Sequence, residues 1–227
     1  MQFEMTLAYF LEQGARLYIS GREFREKLQA VHHFIFDWDG VFNKGVKMDQ
    51  DGSPFSEPDS MGTNLMRLSC YLKTGEVPLM GIMTGAYNRG AMYFAEREHF
   101  DFMVRGYKNK NVALKLLLDN FGINARESLF AWDDILDLPV AKWAGLSIQI
   151  RRDANPLLNR FAAEECLVDY QTAFPGGSNA VREISELFLA AQGNSAECIH
   201  ARMNYTGMYK TYLEAKTKRK VLEIKKQ

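Results

Sequence analysis

Residues 31–45, VHHFIFDWDGVFNKG, contain the pattern from which the fold can be predicted. The apolar run at residues 33–36 stops at Asp37, and a glycine turn follows at Gly40. A short apolar run bounded by such a turn is typical of a buried strand in a parallel sheet. Ligands of these sheets bind beyond the carboxyl ends of the strands, where Asp37 and Asp39 fall. Because side chains alternate along a strand, both carboxylates can start on one side, and such oxygen ligands suit Mg²⁺.

Strands and helices alternate along most of the remaining chain. The strands predicted after the first cover residues 78–85, 100–104, 128–132, 146–150 and 165–168. Helices are predicted at residues 64–73, 109–122, 138–144 and 180–191. This alternation predicts an α/β fold with a doubly wound, Rossmann-like parallel sheet covered on both faces. The Asp51–Gly52 pair also predicts a β-hairpin flap near the carboxylates, within residues 45–57.

The two ends of the chain differ from this core. We therefore predict three segments: an N-terminal helical extension at 1–30, the α/β domain at 31–194, and a basic C-terminal helical tail at 195–227. Apolar residues recur in the tail at helical spacing, without an evident cover: Tyr205, Tyr209, Tyr212 and Leu213. This stripe favours a homo-oligomer. A nucleic-acid contact is the weaker interpretation of the basic end, because its aromatic and basic residues share only one short helix.

Composition narrows the classes of protein. The 227 residues contain 28 Lys and Arg and 28 Asp and Glu, so no net charge attracts the chain to nucleic acid or to a membrane. The longest apolar runs are the length of strands, and the first residues lack the basic segment of a signal peptide. The three cysteines, Cys70, Cys166 and Cys198, are not clustered, which favours the reducing cytoplasm over a disulfide framework or a zinc site.

Polar clusters follow the ends of the predicted strands. They are Asp37 with Asp39, Thr84 with Gly85, Lys110 at a helix start, and Asp133 with Asp134 and Asp137. Each alone also fits a turn, a cap or a solvated side chain. Together they suit phosphoester hydrolysis, in which a carboxylate attacks phosphorus and a second carboxylate transfers protons. Mg²⁺, a hydroxyl and an ammonium would stabilise the phosphoryl oxygens.

These motifs resemble the four motifs of the haloacid-dehalogenase (HAD) superfamily of phosphohydrolases. Residues 31–192 resemble more closely the 3-deoxy-octulosonate 8-phosphate phosphatase group, through DWDGVFNKG, GYKNKNVAL, DDILDLPVAKWAGLSIQI, DANP and FPGGSNAVREI. The resemblance implies no full cap domain, and a tetramer in which a neighbouring subunit closes each site. It implies that Asp37 is the nucleophile and that Asp39 is the general acid and base. The Mg²⁺ ligands would be Asp37, the main-chain carbonyl of Asp39, and Asp133. Thr84, Gly85 and Lys110 would bind the phosphate, and Asp134 and Asp137 would be supporting residues.

The chain resembles a divergent member of this group. Ala86 stands where the group has an arginine, and Ser178 and Asn179 replace an Arg-Gly pair in a segment that reaches a neighbouring site. The group's Arg-Asp-Gly after the flap is also altered, and Trp132 replaces a glycine before the acidic pair. Lost arginines remove donors for a carboxylate or a phosphate. We therefore expect a changed substrate preference. We also expect the bulky Trp132 either to narrow the pocket or to displace Asp133.

Two hypotheses follow for the function. The first is a Mg²⁺-dependent phosphatase that acts on a small phosphorylated sugar or sugar acid. The second is an inactive or weakly active HAD-fold module that serves oligomerisation or regulation. The first is favoured because all four central residues are kept: Asp37, Asp39, Lys110 and Asp133. The sequence does not identify the substrate.

Overall fold

A computed structural model describes residues 1–47, 53–205 and 207–226. Its centre is a sheet of eight strands: β1 Arg16–Leu17, β2 His33–Phe36, β3 Leu79–Thr84, β4 Phe102–Arg105, β5 Ser128–Trp132, β6 Leu146–Arg151, β7 Tyr170–Pro175 and β8 Leu222–Lys225. Their order across the sheet is β1-β7-β6-β5-β2-β3-β4-β8. All neighbours are parallel except β1, which is antiparallel to β7. The predicted α/β fold with a parallel sheet is confirmed.

Helices cover both faces of the sheet. They are α1 Gln2–Glu12, α2 Gly21–Ala30, α3 Glu57–Thr74, α4 Arg89–Arg97, α5 Lys110–Phe121, α6 Leu138–Trp143, α7 Pro156–Glu164, α8 Ala180–Gln192, α9 Ser195–Asn204 and α10 Gly207–Thr217. The larger core lies under α3 and α8 and includes residues of both terminal segments. The smaller core lies under α5, α6 and α7 on the other face. Among the described helices, none has the length and apolarity needed to cross a bilayer.

The two terminal segments are integral to the sheet. The N-terminal segment adds β1 at one edge, and the C-terminal segment adds β8 at the other, so each contributes a strand as well as helices. The tail is fixed by buried polar contacts: Lys216 Nζ lies 3.0 Å from Glu98 Oε2, and the Tyr212 hydroxyl donates to the main-chain carbonyl of Asn64 at 3.2 Å. Tyr209 and Tyr212 are buried in the larger core. The expectation that this stripe lacks a cover is therefore wrong for Tyr209, Tyr212 and Leu213, whereas Tyr205 remains 50% exposed.

Three local predictions have different outcomes. The strand predicted at 165–168 is wrong, because this segment is the turn after α7, with Cys166 at a φ of 53°, and the strand begins at Tyr170. Trp132 does not narrow the pocket. Its side chain is buried in the smaller core, and its Nε1 donates to Ser147 Oγ at 2.9 Å. The predicted hairpin turn at Asp51–Gly52 lies outside the described residues.

The burial of the tail predicts a stability effect. Tyr212→Ala removes a fully buried ring and its hydrogen bond to Asn64, so we expect the free energy of unfolding to fall by about 3–5 kcal/mol. The matched control, Tyr93→Ala, removes a ring that is 60% exposed and should cost less than about 1 kcal/mol. Urea unfolding of both variants measures the difference. Equal losses would show that the tail does not belong to the cooperative core.

Candidate active site

A cavity of about 770 Å³ lies at the carboxyl ends of the central strands. The parallel register brings the ends of β2, β3 and β5 to one rim, because Phe36 is level with Ile82 on one side and Ala131 on the other. All the predicted site residues line this cavity: Asp37, Asp39, Thr84, Gly85, Lys110, Asp133, Asp134 and Asp137. The chain order reverses at β2, so the cavity lies where open α/β sheets bind their ligands.

A buried lysine joins two of the carboxylates. Lys110, the first residue of α5, donates from Nζ to Asp37 Oδ1 at 2.6 Å and to the main-chain carbonyl of Met83 at 3.0 Å. The same Nζ contacts Asp137 Oδ1. Burial lowers the pKa of the Lys110 ammonium, but Asp137 and Asp37 outweigh it and hold the pKa above its usual range. Lys110 therefore stays charged and fixes Asp37 at the floor of the cavity.

Three buried carboxylates form a cluster that could hold a metal ion. One oxygen each from Asp37, Asp133 and Asp137 lies within 4.8 Å of the others. Burial raises the pKa of Asp37 to about 7, with Asp137 adding repulsion and Lys110 opposing it. Burial also raises the pKa of Asp133 to about 8, aided by repulsion from Asp37 and Asp137. Lys110 alone therefore does not neutralise the cluster, and a divalent cation bound to these oxygens would relieve the repulsion.

Asp39 occupies a different part of the cavity. Its carboxylate contacts Lys47 and accepts a hydrogen bond from Ser53 Oγ at 3.0 Å. The Asp39 side chain does not belong to the carboxylate cluster of Asp37, Asp133 and Asp137. Unlike the Asp37 carboxylate, it is therefore not placed to bind a metal ion in that cluster. A carboxylate held apart from the metal-binding oxygens, on the cavity wall, is placed to exchange protons with a bound ligand.

Asp134 and Asp137 support the loop after β5. Asp134 Oδ1 accepts from the Ile135 amide at 2.7 Å, which caps a short 3₁₀ helix at Ile135–Asp137. Asp137 Oδ2 accepts from the amides of Asp133 and Asp134 at 3.3 and 3.2 Å. Asp137 thus links the Asp133 loop to Lys110. It belongs to the acidic cluster itself, whereas the sequence predicted only a supporting role.

Two basic residues of the cavity, Lys108 and Arg152, are not among those predicted from the sequence. The Arg152 guanidinium contacts the Asp133 carboxylate. Arg152 follows directly after β6, so the strand-end reasoning applied to the other motifs would have found it. Lys108 lies in the loop before α5, two residues before Lys110, which was the phosphate ligand predicted in this region.

The other arginines near the cavity do not replace the missing ones. Arg105 Nε donates to Glu223 Oε1 at 2.5 Å, and its guanidinium lies 5.4 Å from the centre of the Tyr87 ring. The C-terminal strand β8 therefore holds Arg105. Arg89 is exposed at the start of α4 and does not line the cavity. Ala86, where the phosphatase group that the sequence resembles has an arginine, lines the cavity without charge.

Comparison with known proteins agrees with the fold. No family model matches the chain. The 3-deoxy-D-manno-octulosonate 8-phosphate phosphatase KdsC of Escherichia coli K12 is 31% identical over 175 residues, which cover 75% of this chain and 86% of that enzyme. A Legionella pneumophila protein assigned to the HAD superfamily, subfamily III A, is 27% identical with a TM-score of 0.67, covering 81% of this chain and 95% of its own.

A third relative carries ligands. The 3-deoxy-D-manno-octulosonate 8-phosphate phosphatase of Moraxella catarrhalis, in complex with a magnesium ion, a phosphate ion and 3-deoxy-D-manno-octulosonate (KDO), is 25% identical with a TM-score of 0.67. The match covers 80% of this chain and 98% of that structure. Since the Escherichia coli identity extends over most of both chains, this protein belongs to the 3-deoxy-D-manno-octulosonate 8-phosphate phosphatase family of the HAD superfamily and is a phosphomonoesterase.

Proposed function

We propose that this protein is a Mg²⁺-dependent phosphatase that hydrolyses a small phosphorylated sugar or sugar acid through an aspartyl-phosphate on Asp37. The observation that carries the proposal is the position of the Asp37 carboxylate. It lies at the floor of the cavity, 2.6 Å from the Lys110 ammonium and beside Asp133 and Asp137. A buried carboxylate among cation-binding oxygens, next to a fixed ammonium, suits attack on a phosphoryl group.

The residues present fit a magnesium ion. The cluster of buried carboxylate oxygens offers hard ligands within 4.8 Å of one another. Burial, with added repulsion between the carboxylates, raises the pKa values of Asp37 and Asp133, and a bound divalent cation would favour their ionised forms. We assign Asp37, Asp133 and the main-chain carbonyl of Asp39 as ligands, with Asp137 in support. A bound Mg²⁺ would reduce the repulsion between the Asp37 carboxylate and an anionic phosphate. The Moraxella relative, which binds a magnesium ion and a phosphate ion, supports magnesium as the metal.

The protein residues divide the reaction between them. Asp37 attacks phosphorus, and Asp39 gives a proton to the leaving oxygen of the sugar. Asp39 then takes a proton from the water that attacks the aspartyl-phosphate, which releases inorganic phosphate and restores Asp37. Thr84, Gly85 and Lys110 would bind the phosphoryl oxygens, since they line the same cavity as Asp37. Lys47 and Ser53 hold Asp39 in its place on the wall.

Assembly and location extend the proposal. The resemblance favours a homotetramer. The tyrosine stripe gives it little support, because Tyr209, Tyr212 and Leu213 pack against the core of the same chain. The two edge strands are short, two residues in β1 and four in β8, which disfavours strand addition as the means of assembly. Exposed apolar residues remain on α9 and at the start of α10, at Ile199, Met203 and Met208. The three free cysteines fit a reducing cytoplasm.

The first prediction tests the nucleophile. Asp37→Asn should leave the chain folded, because Asp137 still pairs with Lys110, but should lower turnover by at least about 10⁴-fold, because an amide does not form the acyl-phosphate. Phosphate release with Mg²⁺ and after chelation measures the loss. Asp119→Asn, which changes an exposed aspartate on α5, should retain full activity. Turnover by folded Asp37→Asn, or activity that survives chelation, would contradict the proposed mechanism.

The second prediction concerns the substrate. With Ala86 uncharged and Arg105 held by Glu223, we expect 3-deoxy-octulosonate 8-phosphate to be a poorer substrate than a sugar phosphate without a carboxylate. A charged Arg–carboxylate contact is worth about 1.5–3 kcal/mol, a factor of roughly ten to a hundred. Side-by-side kcat/KM values test this. Ala86→Arg should raise kcat/KM on the sugar acid, whereas Ala86→Gln should not. Efficient turnover of the sugar acid by the wild-type protein would refute the prediction.

The third prediction concerns assembly. Sedimentation velocity at micromolar concentration should show a species of four chains, as the resemblance implies. Met203→Glu, which places a charge among the exposed apolar residues of α9, should weaken the assembly if this surface is the interface. Lys210→Glu, a change on α10 that does not alter an apolar side chain, serves as the control. A monomeric wild-type protein would contradict the tetramer.

A further inference from the structure

Arg152 reaches the acidic cluster from the neighbouring strand. It follows β6, which lies beside β5, and its guanidinium contacts the Oδ2 atom of Asp133. Its neighbour Arg151 is directed elsewhere, since it donates from Nε to Asp153 at 2.7 Å and from Nη1 to the main-chain carbonyl of Ala173 at 3.2 Å. Only the second arginine of this pair lines the active-site cavity.

Two glycines make room for the Arg152 guanidinium. Gly40 and Gly45 adopt positive φ angles of 87° and 75°, which favour glycine. A Cβ atom at Gly45 would lie 2.6 Å from Arg152 Nη2, and a Cβ atom at Gly40 would overlap both Arg152 and the Asp133 carboxylate. The loop after β2 is therefore shaped so that a guanidinium can reach Asp133.

The contact between Arg152 and Asp133 depends mainly on charge. Within the described residues, the buried Nε of Arg152 has no hydrogen-bond partner of suitable geometry, although it lies beside Asp133 Oδ2. A pair held by charge, without an aligned hydrogen bond, is more easily replaced by another cation than a bidentate pair. The Arg152 side chain is one-third exposed, so it has space on the cavity side into which it can move.

We propose that Arg152 is a positioning residue that occupies Asp133 as a counter-ion in the metal-free protein and thereby sets the affinity for Mg²⁺. This inference rests on the proposed function, in which Asp133 is a metal ligand. A divalent cation and a guanidinium on one carboxylate repel each other at short range, where the protein screens charge weakly. Binding of Mg²⁺ therefore requires Arg152 to release Asp133 or to tolerate that repulsion.

The experiment measures Mg²⁺ binding to the full-length protein by isothermal titration calorimetry, without substrate. Removing the charge with Arg152→Gln should lower the Kd for Mg²⁺ by about tenfold or more. Arg152→Lys keeps the charge and should bind Mg²⁺ with nearly the wild-type affinity. The control Arg160→Gln removes an exposed arginine on α7 that pairs with Glu164, and should leave the Kd unchanged.

A second measurement does not depend on the Gln variant folding. In ¹⁵N spectra of the wild-type protein, the Nε resonance of Arg152, assigned by its loss in Arg152→Lys, should shift as Mg²⁺ saturates the site. An unchanged or weaker Mg²⁺ affinity in Arg152→Gln, an equal gain in Arg160→Gln, or an Nε resonance indifferent to Mg²⁺ would overturn the proposal. If the wild-type protein binds Mg²⁺ but Arg152→Gln binds no tighter, this proposal alone fails. If no form binds Mg²⁺, the proposed metal site fails with it.

Discussion

The buried ion pair between Lys110 and Asp37 is the interaction on which the active site depends. It brings the start of α5 against the end of β2, and the same ammonium contacts Asp137 after β5. Three elements are therefore tied together by one charge. Burying such groups costs solvation energy that a packed apolar cluster of the same volume would avoid. In the proposed mechanism this cost has a purpose, because the ion pair holds the Asp37 carboxylate at the floor of the cavity, where it would attack the phosphoryl group.

The sheet provides the geometry that makes this interaction possible. Since β2 lies between β3 and β5, residues far apart in the chain reach one rim, with Thr84 on one side of Asp37 and Asp133 on the other. The terminal segments complete this frame and do not form separate appendages. The C-terminal strand β8 pairs with β4, and its Glu223 holds Arg105 at the edge. Because Arg105 is paired with Glu223 of the tail, its positive charge is not free to bind a substrate.

Local patterns predicted the interior of the fold better than its edges. The strand at residues 33–36 and the motifs after the central strands were predictable, because apolar runs and alternation are local properties of the chain. The strand at Leu222–Lys225 was not predicted, since a short basic segment becomes a strand only when the edge of β4 is free to pair with it. Alternation also explains Trp132: it faces the smaller core with Phe130, while the next residue, Asp133, faces the cavity. The position of Arg152 at a strand end was predictable in the same way, but its contact with Asp133 was not, because that contact depends on β6 lying beside β5.

The charges of the site show why metal and substrate should bind together. Five carboxylates belong to the site, and so do four side-chain cations. The carboxylates are Asp37, Asp39, Asp133, Asp134 and Asp137, and the cations are Lys47, Lys108, Lys110 and Arg152. With all of them ionised, the site carries one net negative charge and would repel a phosphate dianion. A divalent cation changes this net charge to one positive, and the dianion then restores the original balance. The net charge of the site therefore stays the same only when Mg²⁺ and the phosphate dianion are both bound. Each of the two should raise the affinity of the site for the other.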